Sequence, residues 1–127
     1  MKILIIGGTK FLGRHLTVAA LKNNHEVTLF NRGKFSQEEF ENVEQIQGDR
    51  NSDLEKLAGR RWDVCIDTCG YLPQSVKLSA EFMRDSIGQY VFVSSISAYS
   101  NFGKANFDET APLAELPEEQ KKTIRRD

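Results

Sequence analysis

Ile3-Leu4-Ile5-Ile6-Gly7-Gly8-Thr9-Lys10-Phe11-Leu12-Gly13 is the stretch that decides the fold of this 127-residue chain. Four consecutive branched apolar residues read as a strand buried on both faces, as in a parallel sheet. The glycines then punctuate a change of period: from Phe11 to Lys22 the apolar positions Leu12, Leu16, Ala19 and Ala20 recur at helical spacing and predict one inward stripe. Asn23-Asn24 ends that helix, and Glu26 to Phe30 predicts a second strand, which completes a strand, helix, strand unit. Within such a unit the glycines have separate tasks. Gly7 turns the chain off the strand, Gly8 admits a pyrophosphate against bare backbone, and Gly13 lets the helix lie close to the sheet. Thr9 adds a hydroxyl, and the helix start at Phe11 and Leu12 offers backbone donors and a positive dipole end to phosphate.

Outward from this unit the alternation continues. Asn31 to Glu41 is a polar loop or short helix, and Val43 to Gln47 predicts a third strand. Ser52-Asp53-Leu54-Glu55 has the pattern of a capping box, opening a short helix that stops at Gly59. Trp62 to Asp67 predicts a fourth strand. Pro73 opens a helix to about Asp85 with Val76, Ala80 and Met83 inward, and Gln89 to Ser94 predicts a fifth strand. Beyond Asn101 only Glu115 to Arg126 has helical character, acidic first and basic last. The fold class is therefore α/β: a Rossmann-type, doubly wound parallel sheet of about five strands in the order 3-2-1-4-5.

Composition narrows the partners. With 39% apolar and 28% charged residues and a formal charge of -1, the chain has no electrostatic reason to seek nucleic acid or an anionic membrane. No apolar run approaches the roughly 20 residues that span a bilayer. A cytoplasmic protein is expected, with small molecules or other subunits as partners. Cys65 and Cys69 suit neither a disulfide framework nor a metal site and read as reduced thiols, and His15 and His25 have no ligands at metal spacing.

The run Gly7-Gly8-Thr9-Lys10-Phe11-Leu12-Gly13 resembles the GGTxFxG variant in the extended and atypical branches of the short-chain dehydrogenase/reductase superfamily, where NAD-dependent epimerases and dehydratases belong. Lys10 stands where the middle glycine would be, a variant also present in chloroplast RNA-binding relatives. The Rossmann pattern places an acid about 20 residues past the glycine loop to bond the ribose 2'-hydroxyl of NAD, or an arginine to take the 2'-phosphate of NADP. Here the second strand ends Leu29-Phe30-Asn31-Arg32-Gly33-Lys34 without an acid, and Arg32 and Lys34 suit a phosphate, so NAD(P) is expected with NADP favoured over NAD. The alternative is that both are solvated loop charges. Gly48-Asp49-Arg50 matches the segment where the family bonds the adenine amino group, and Thr68-Cys69-Gly70 the small-residue turn lining the cofactor. Asp49 is equally readable as a turn residue bonding its own backbone, and Gly70 as plain chain reversal.

Tyr90-Val91-Phe92-Val93-Ser94-Ser95-Ile96-Ser97-Ala98-Tyr99 resembles the family's fifth strand, and the match assigns Ser95 to the catalytic Ser/Thr that hydrogen-bonds a substrate oxygen. The resemblance also implies a Tyr-x-x-x-Lys pair, the tyrosine as acid or base and the lysine lowering its pKa. Tyr71, Tyr90 and Tyr99 are followed four residues on by Ser75, Ser94 and Gly103, so the pair is absent from this sequence. Phe107-Asp108-Glu109-Thr110-Ala111-Pro112-Leu113 looks like the family's acidic stretch before the helix that bears the pair. The expectation is that residues 1–127 form the NAD(P)-binding part of a longer parent and lack its substrate-binding part, hence its activity. Without the family's next helix and strand, Val91 and Val93, or Tyr90 and Phe92, are expected to face solvent, so that the chain self-associates, swaps elements or borrows a partner surface. The resemblance implies an epimerase/dehydratase or reductase acting on a sugar nucleotide or small carbonyl compound. The alternatives are a nucleotide-sensing or RNA-associated protein on the same scaffold, and a binding domain without catalysis.

Overall fold

A computed structural model describes residues 1–33, 38–101, 103 and 105–119. Lys34 and most of the helix expected over 115–126 lie outside the described residues. The chain divides into two compact units, Met1–Val93 and Ser94–Asp127.

In the first unit, strands β1 (Lys2–Ile6), β2 (Glu26–Asn31), β3 (Glu44–Gln47), β4 (Trp62–Asp67) and β5 (Ile87–Phe92) form one sheet in the order β3-β2-β1-β4-β5. Each pairing is parallel, with Ile6 beside Phe30 on one side and Asp67 on the other. This is the doubly wound order read from the sequence. Central β1 is apolar from Ile3 to Ile6 because both of its faces are covered there. Ile3 and Ile5 pack with Val27, Leu29, Val64 and Ala20 of helix α1 (Phe11–Lys22), while Leu4 and Ile6 pack with Phe30, Cys65, Leu57 and Met83 of helix α2 (Pro73–Met83). Leu4, Ile5, Leu29 and Met83 are fully buried. Trp62, on the α2 side of the sheet, links β4 to β2 past β1 by donating its indole N–H to Thr28 Oγ1 at 3.1 Å.

The inward faces of the helices match expectation only in part: Ala20 and Met83 are buried and Leu16 packs against the core, but the remaining positions differ. On α1 the buried positions are Gly13, Thr17 and Ala20, while Leu12 and Ala19 are exposed. Small residues win because the helix lies tight against the glycine loop. The buried Thr17 hydroxyl has both Gly8 O (3.0 Å) and Gly13 O (2.8 Å) within its reach. On α2 the buried positions are Ser75, Ser79 and Met83, with Val76 and Ala80 only half-buried, and the helix ends at Met83 instead of Asp85. Its serines are inside because a charged group lies opposite them.

The expected capping box does not form. Asp53 occupies the N-cap of a single 3-10 turn, Leu54–Leu57, and its carboxylate turns back to accept the Asp49 N–H at 2.7 Å. Strand β5 begins at Ile87, two residues before the expected Gln89, because the Trp62 N–H to Ser86 O bond (3.0 Å) starts the β4–β5 ladder there.

The second unit is held by its own contacts. Ser95 Oγ accepts the Ser97 N–H at 3.1 Å and caps a 3-10 turn at Ile96–Ala98. Tyr99 bridges antiparallel to Leu113, supported by Ser100 N–H to Pro112 O (2.9 Å) and Ala114 N–H to Ala98 O (2.8 Å). The Tyr99 ring meets Phe107 edge-on at 5.1 Å.

Candidate dinucleotide site

The parallel sheet delivers the loops after β1, β2, β3 and β4 to one end, the carboxyl ends of the strands, where open α/β sheets bind ligands. At the centre, Gly7 and Gly8 adopt φ of 103° and 89°, a region closed to most side chains. Space is as restrictive as conformation. A Cβ on Gly7 would lie 2.4 Å from Thr68 Oγ1, and one on Gly8 would lie 2.6 Å from Leu29 Cδ2. On Gly13 it would meet the backbone of Gly8 at 2.8 Å, where no side-chain rotation gives relief. The loop and the first turn of α1 are thus in backbone contact. No side chain caps the start of α1, whose N-cap is Lys10 in extended conformation. Phe11 follows at φ 39° and is 87% exposed, and Leu12 is also exposed.

Thr68 and Cys69 pack beside this loop, and Gly70 lies against Phe92 and Val76. Thr68 donates from its N–H (3.1 Å) and its hydroxyl (2.9 Å) to Ile6 O, and the Cys69 thiol reaches the same carbonyl at 3.6 Å. Burial raises the Cys69 pKa, with the Asp67 charge adding to it, and the Cys65 pKa is raised for the same two reasons. Both cysteines are unbridged and are poor thiolates at neutral pH.

At the end of β2, the Asn31 side chain accepts the Gly33 N–H at 2.8 Å and donates to Gly7 O at 3.4 Å, joining its own turn to the glycine loop. Arg32 is exposed at this edge. After β3, Asp49 Oδ1 accepts the Asn51 N–H at 2.9 Å and its side-chain amide at 3.0 Å, an Asx turn of the kind that lets aspartate organise its own backbone.

Arg50 departs from the expected cofactor-facing position: its side chain is turned inward and is 6% exposed. Its guanidinium clasps Asp67 with two bonds of 2.9 and 2.7 Å and also reaches Ser79 Oγ and Ser75 O. Asp67 is completely buried and accepts the Tyr90 hydroxyl (2.7 Å) and the Cys69 N–H (3.2 Å) as well. Burial opposes the charge on Arg50, but the hydrogen bonds and charge of Asp67 prevail and raise its pKa. Burial and the bond to Asp67 raise Tyr90 as well. Sequence reasoning missed Asp67, Ser75, Ser79 and Tyr90. The available signal was a lone carboxylate closing the otherwise apolar Val64-Cys65-Ile66-Asp67. Ser95 lies in the second unit, exposed, as the cap already described.

Among the described residues no helix is long and apolar enough to cross a membrane, and no cluster of His, Cys, Asp and Glu could hold a metal ion. The chain is 33% identical to the chloroplast stem-loop binding protein of 41 kDa b from Arabidopsis thaliana, over 77% of this chain and 30% of that protein. Its fold is shared with a UDP-glucose 4-epimerase from Bifidobacterium longum in complex with NAD+ and UDP (TM-score 0.77, 17% identity, 90% of this chain and 43% of that one). It is shared too with a dTDP-glucose 4,6-dehydratase from Bacillus anthracis in complex with NAD (TM-score 0.71, 21% identity, 96% of this chain and 47% of that one). The chain therefore spans less than half the length of each of these proteins. Residues 3–107 match a family model, and with the glycine loop, the strand order and the loop-bearing sheet end in agreement, the chain belongs to the NAD dependent epimerase/dehydratase family.

Proposed function

We propose that the Met1–Val93 unit binds NAD(P) at the carboxyl end of its sheet, with NADP preferred, as the cofactor part of an epimerase/dehydratase or reductase. The observation that carries this reading is the backbone contact of Gly13 with Gly8, which brings the uncapped start of α1 against the end of β1. That cradle fits a pyrophosphate because donors and the positive end of the helix dipole converge where no Cβ intrudes. Gly7, Gly8, Thr9, Phe11, Leu12 and Gly13 hold the phosphates. Asn31 and Arg32 take the ribose end, with Lys34 beside them in sequence. Asp49 takes the adenine, and Thr68, Cys69 and Gly70 line the other half. The lack of an acid beside Arg32 supports the 2'-phosphate.

When bound, the nicotinamide supplies the hydride acceptor and donor. Ser95 is proposed, from its motif, to donate its hydroxyl to a substrate oxygen as charge develops there. The substrate class follows from the family and from its nucleotide-sugar neighbours: a sugar nucleotide, or a small carbonyl compound. Residues 1–127 are the cofactor part and not the substrate part, because the tyrosine and lysine pair is not in this sequence. The two unbridged thiols fit a reducing compartment such as the cytoplasm. We further propose that the chain self-associates through β5, which among the described residues pairs with β4 alone and carries exposed Val91 and Phe92. Fluorescence titration with NADPH and NADH tests the cofactor reading. Saturable binding with an NADPH preference is expected, and equally negligible binding of both removes it.

A second reading, nucleotide sensing or RNA association on the same scaffold, takes its support from the stem-loop binding described for the Arabidopsis relative. The net charge of -1 gives such binding little help. Salt-dependent affinity for a stem-loop RNA, without NADPH binding, would favour it.

A further inference from the structure

We infer that Arg50 is a positioning residue for the purine half of the dinucleotide site, acting through a buried strut to Asp67; this rests on the proposed cofactor reading. Strand β3 is separated from β4 by β2 and β1. At the ordinary strand spacing the two are roughly 14 Å apart, so no sheet hydrogen bond connects their loops. The guanidinium makes that connection. From the turn after β3 it reaches Asp67 at the end of β4, and on α2 it reaches Ser79 Oγ and Ser75 O. A second tie runs in parallel, from the Ser75 hydroxyl to Asn51 Oδ1 at 2.7 Å. Asp49 is thus flanked on its C-terminal side by two residues anchored to α2 and β4, and its N–H is held by Asp53.

Asp67 carries the connection onward. The oxygen that accepts one Arg50 donor also accepts the Cys69 N–H, so the Asp49–Asn51 turn and the Thr68–Gly70 turn share one carboxylate. The other oxygen takes the second Arg50 donor and the Tyr90 hydroxyl from β5. Ion pairs this deeply buried are poor devices for stability, since well-packed apolar groups of similar volume often do as well or better. What a bidentate guanidinium–carboxylate pair adds is direction, because both planar groups must align. Here that direction fixes the distance between two turns on one ligand-facing edge.

The test measures binding of the two halves of the cofactor separately, using 2',5'-ADP and nicotinamide mononucleotide, together with NADPH and urea unfolding. The variants are Arg50→Met and Arg50→Lys. A loss of folded protein scales both halves equally, whereas misplacing the Asp49 turn acts on one. Arg50→Met is expected to weaken 2',5'-ADP by about 10- to 100-fold and the mononucleotide by less than about twofold, after correction for the folded fraction. Arg50→Lys, which keeps the charge and loses the fork, is expected to recover part of that loss. Where Arg50→Met does not fold, the Arg50→Lys ratio decides alone. Equal weakening of both halves, or an unchanged ratio in a folded variant, overturns the strut. A wild-type chain that binds neither NADPH nor 2',5'-ADP overturns the cofactor reading itself, and the strut with it.

Discussion

A Cβ on Gly13 would lie 2.8 Å from the amide nitrogen of Gly8 and 2.9 Å from its Cα. Gly13→Ala must therefore push the helix start away from the loop. The expected outcome is a loss of about 1–3 kcal/mol in urea unfolding, the usual range for overpacking, together with a clear loss of NADPH binding. Gly59→Ala is the control: Gly59 has φ 75° but nothing within 4 Å of its missing Cβ. That change is expected to destabilise by about 1–2 kcal/mol through backbone strain alone and to leave the titration as it was. If Gly13→Ala binds NADPH as the wild type does, the cradle has been misread.

Arg32 is exposed at the end of β2, and the neighbouring Asn31 side chain is engaged by Gly33 N–H and Gly7 O. A 2'-phosphate would meet a cation and no acid there. Arg32→Asp is expected to weaken NADPH by about 10- to 100-fold, the equivalent of one charge-assisted hydrogen bond, and to change NADH far less. A parallel loss for both cofactors would assign Arg32 to general electrostatics, and no loss for either would assign it to solvent.

The strand order was legible because each clue is local. The apolar run of β1, the glycines that follow and the period change in α1 all lie within Lys2 to Lys22. The glycine positions were legible for a similar reason, since backbone contact demands a residue type that composition displays. The inner helix faces were legible only in part, at Leu16, Ala20 and Met83. Counting apolar residues selects Leu12 and Ala19, yet the interior holds Thr17, Ser75 and Ser79, polar groups whose partners are fixed only by the tertiary fold. Arg50 was visible as a residue and misread in direction, because its partner Asp67 is 17 positions away with an intervening turn and strand.

Glu44 illustrates a small pH linkage with a convenient reporter. The hydrogen bond from Arg60 holds its carboxyl below the ordinary value of 4.5 against the opposing effect of burial, with the Thr28 hydroxyl (2.9 Å) assisting. The same Thr28 oxygen accepts the Trp62 indole N–H, so tryptophan fluorescence follows unfolding next to this chain of contacts. A depressed folded pKa contributes stability that is present above pH 4.5 and is lost as pH falls through the folded value. Both side chains of the Arg60 pair are well exposed, so the contribution is expected to stay below about 1 kcal/mol. Glu44→Gln should be slightly less stable than wild type at pH 7, with the difference narrowing toward pH 3. A difference that widens in acid would contradict the sign.

Self-association is best tested at Val91 and not at Phe92. The Phe92 ring covers Gly70, where a Cβ would lie 2.5 Å from Cε2, so changing Phe92 would disturb a turn of the candidate site along with the surface. Val91 is 36% exposed on the same strand and is not among the atoms close to Gly70. A charge at the edge of a sheet opposes pairing with another chain. Solution scattering of the wild type is expected to give a mass that rises with protein concentration, and Val91→Lys is expected to return it toward the monomer without altering the NADPH titration. A monodisperse wild-type monomer across working concentrations would show that the β5 edge is tolerated in water as it stands, and would leave the cofactor reading untouched.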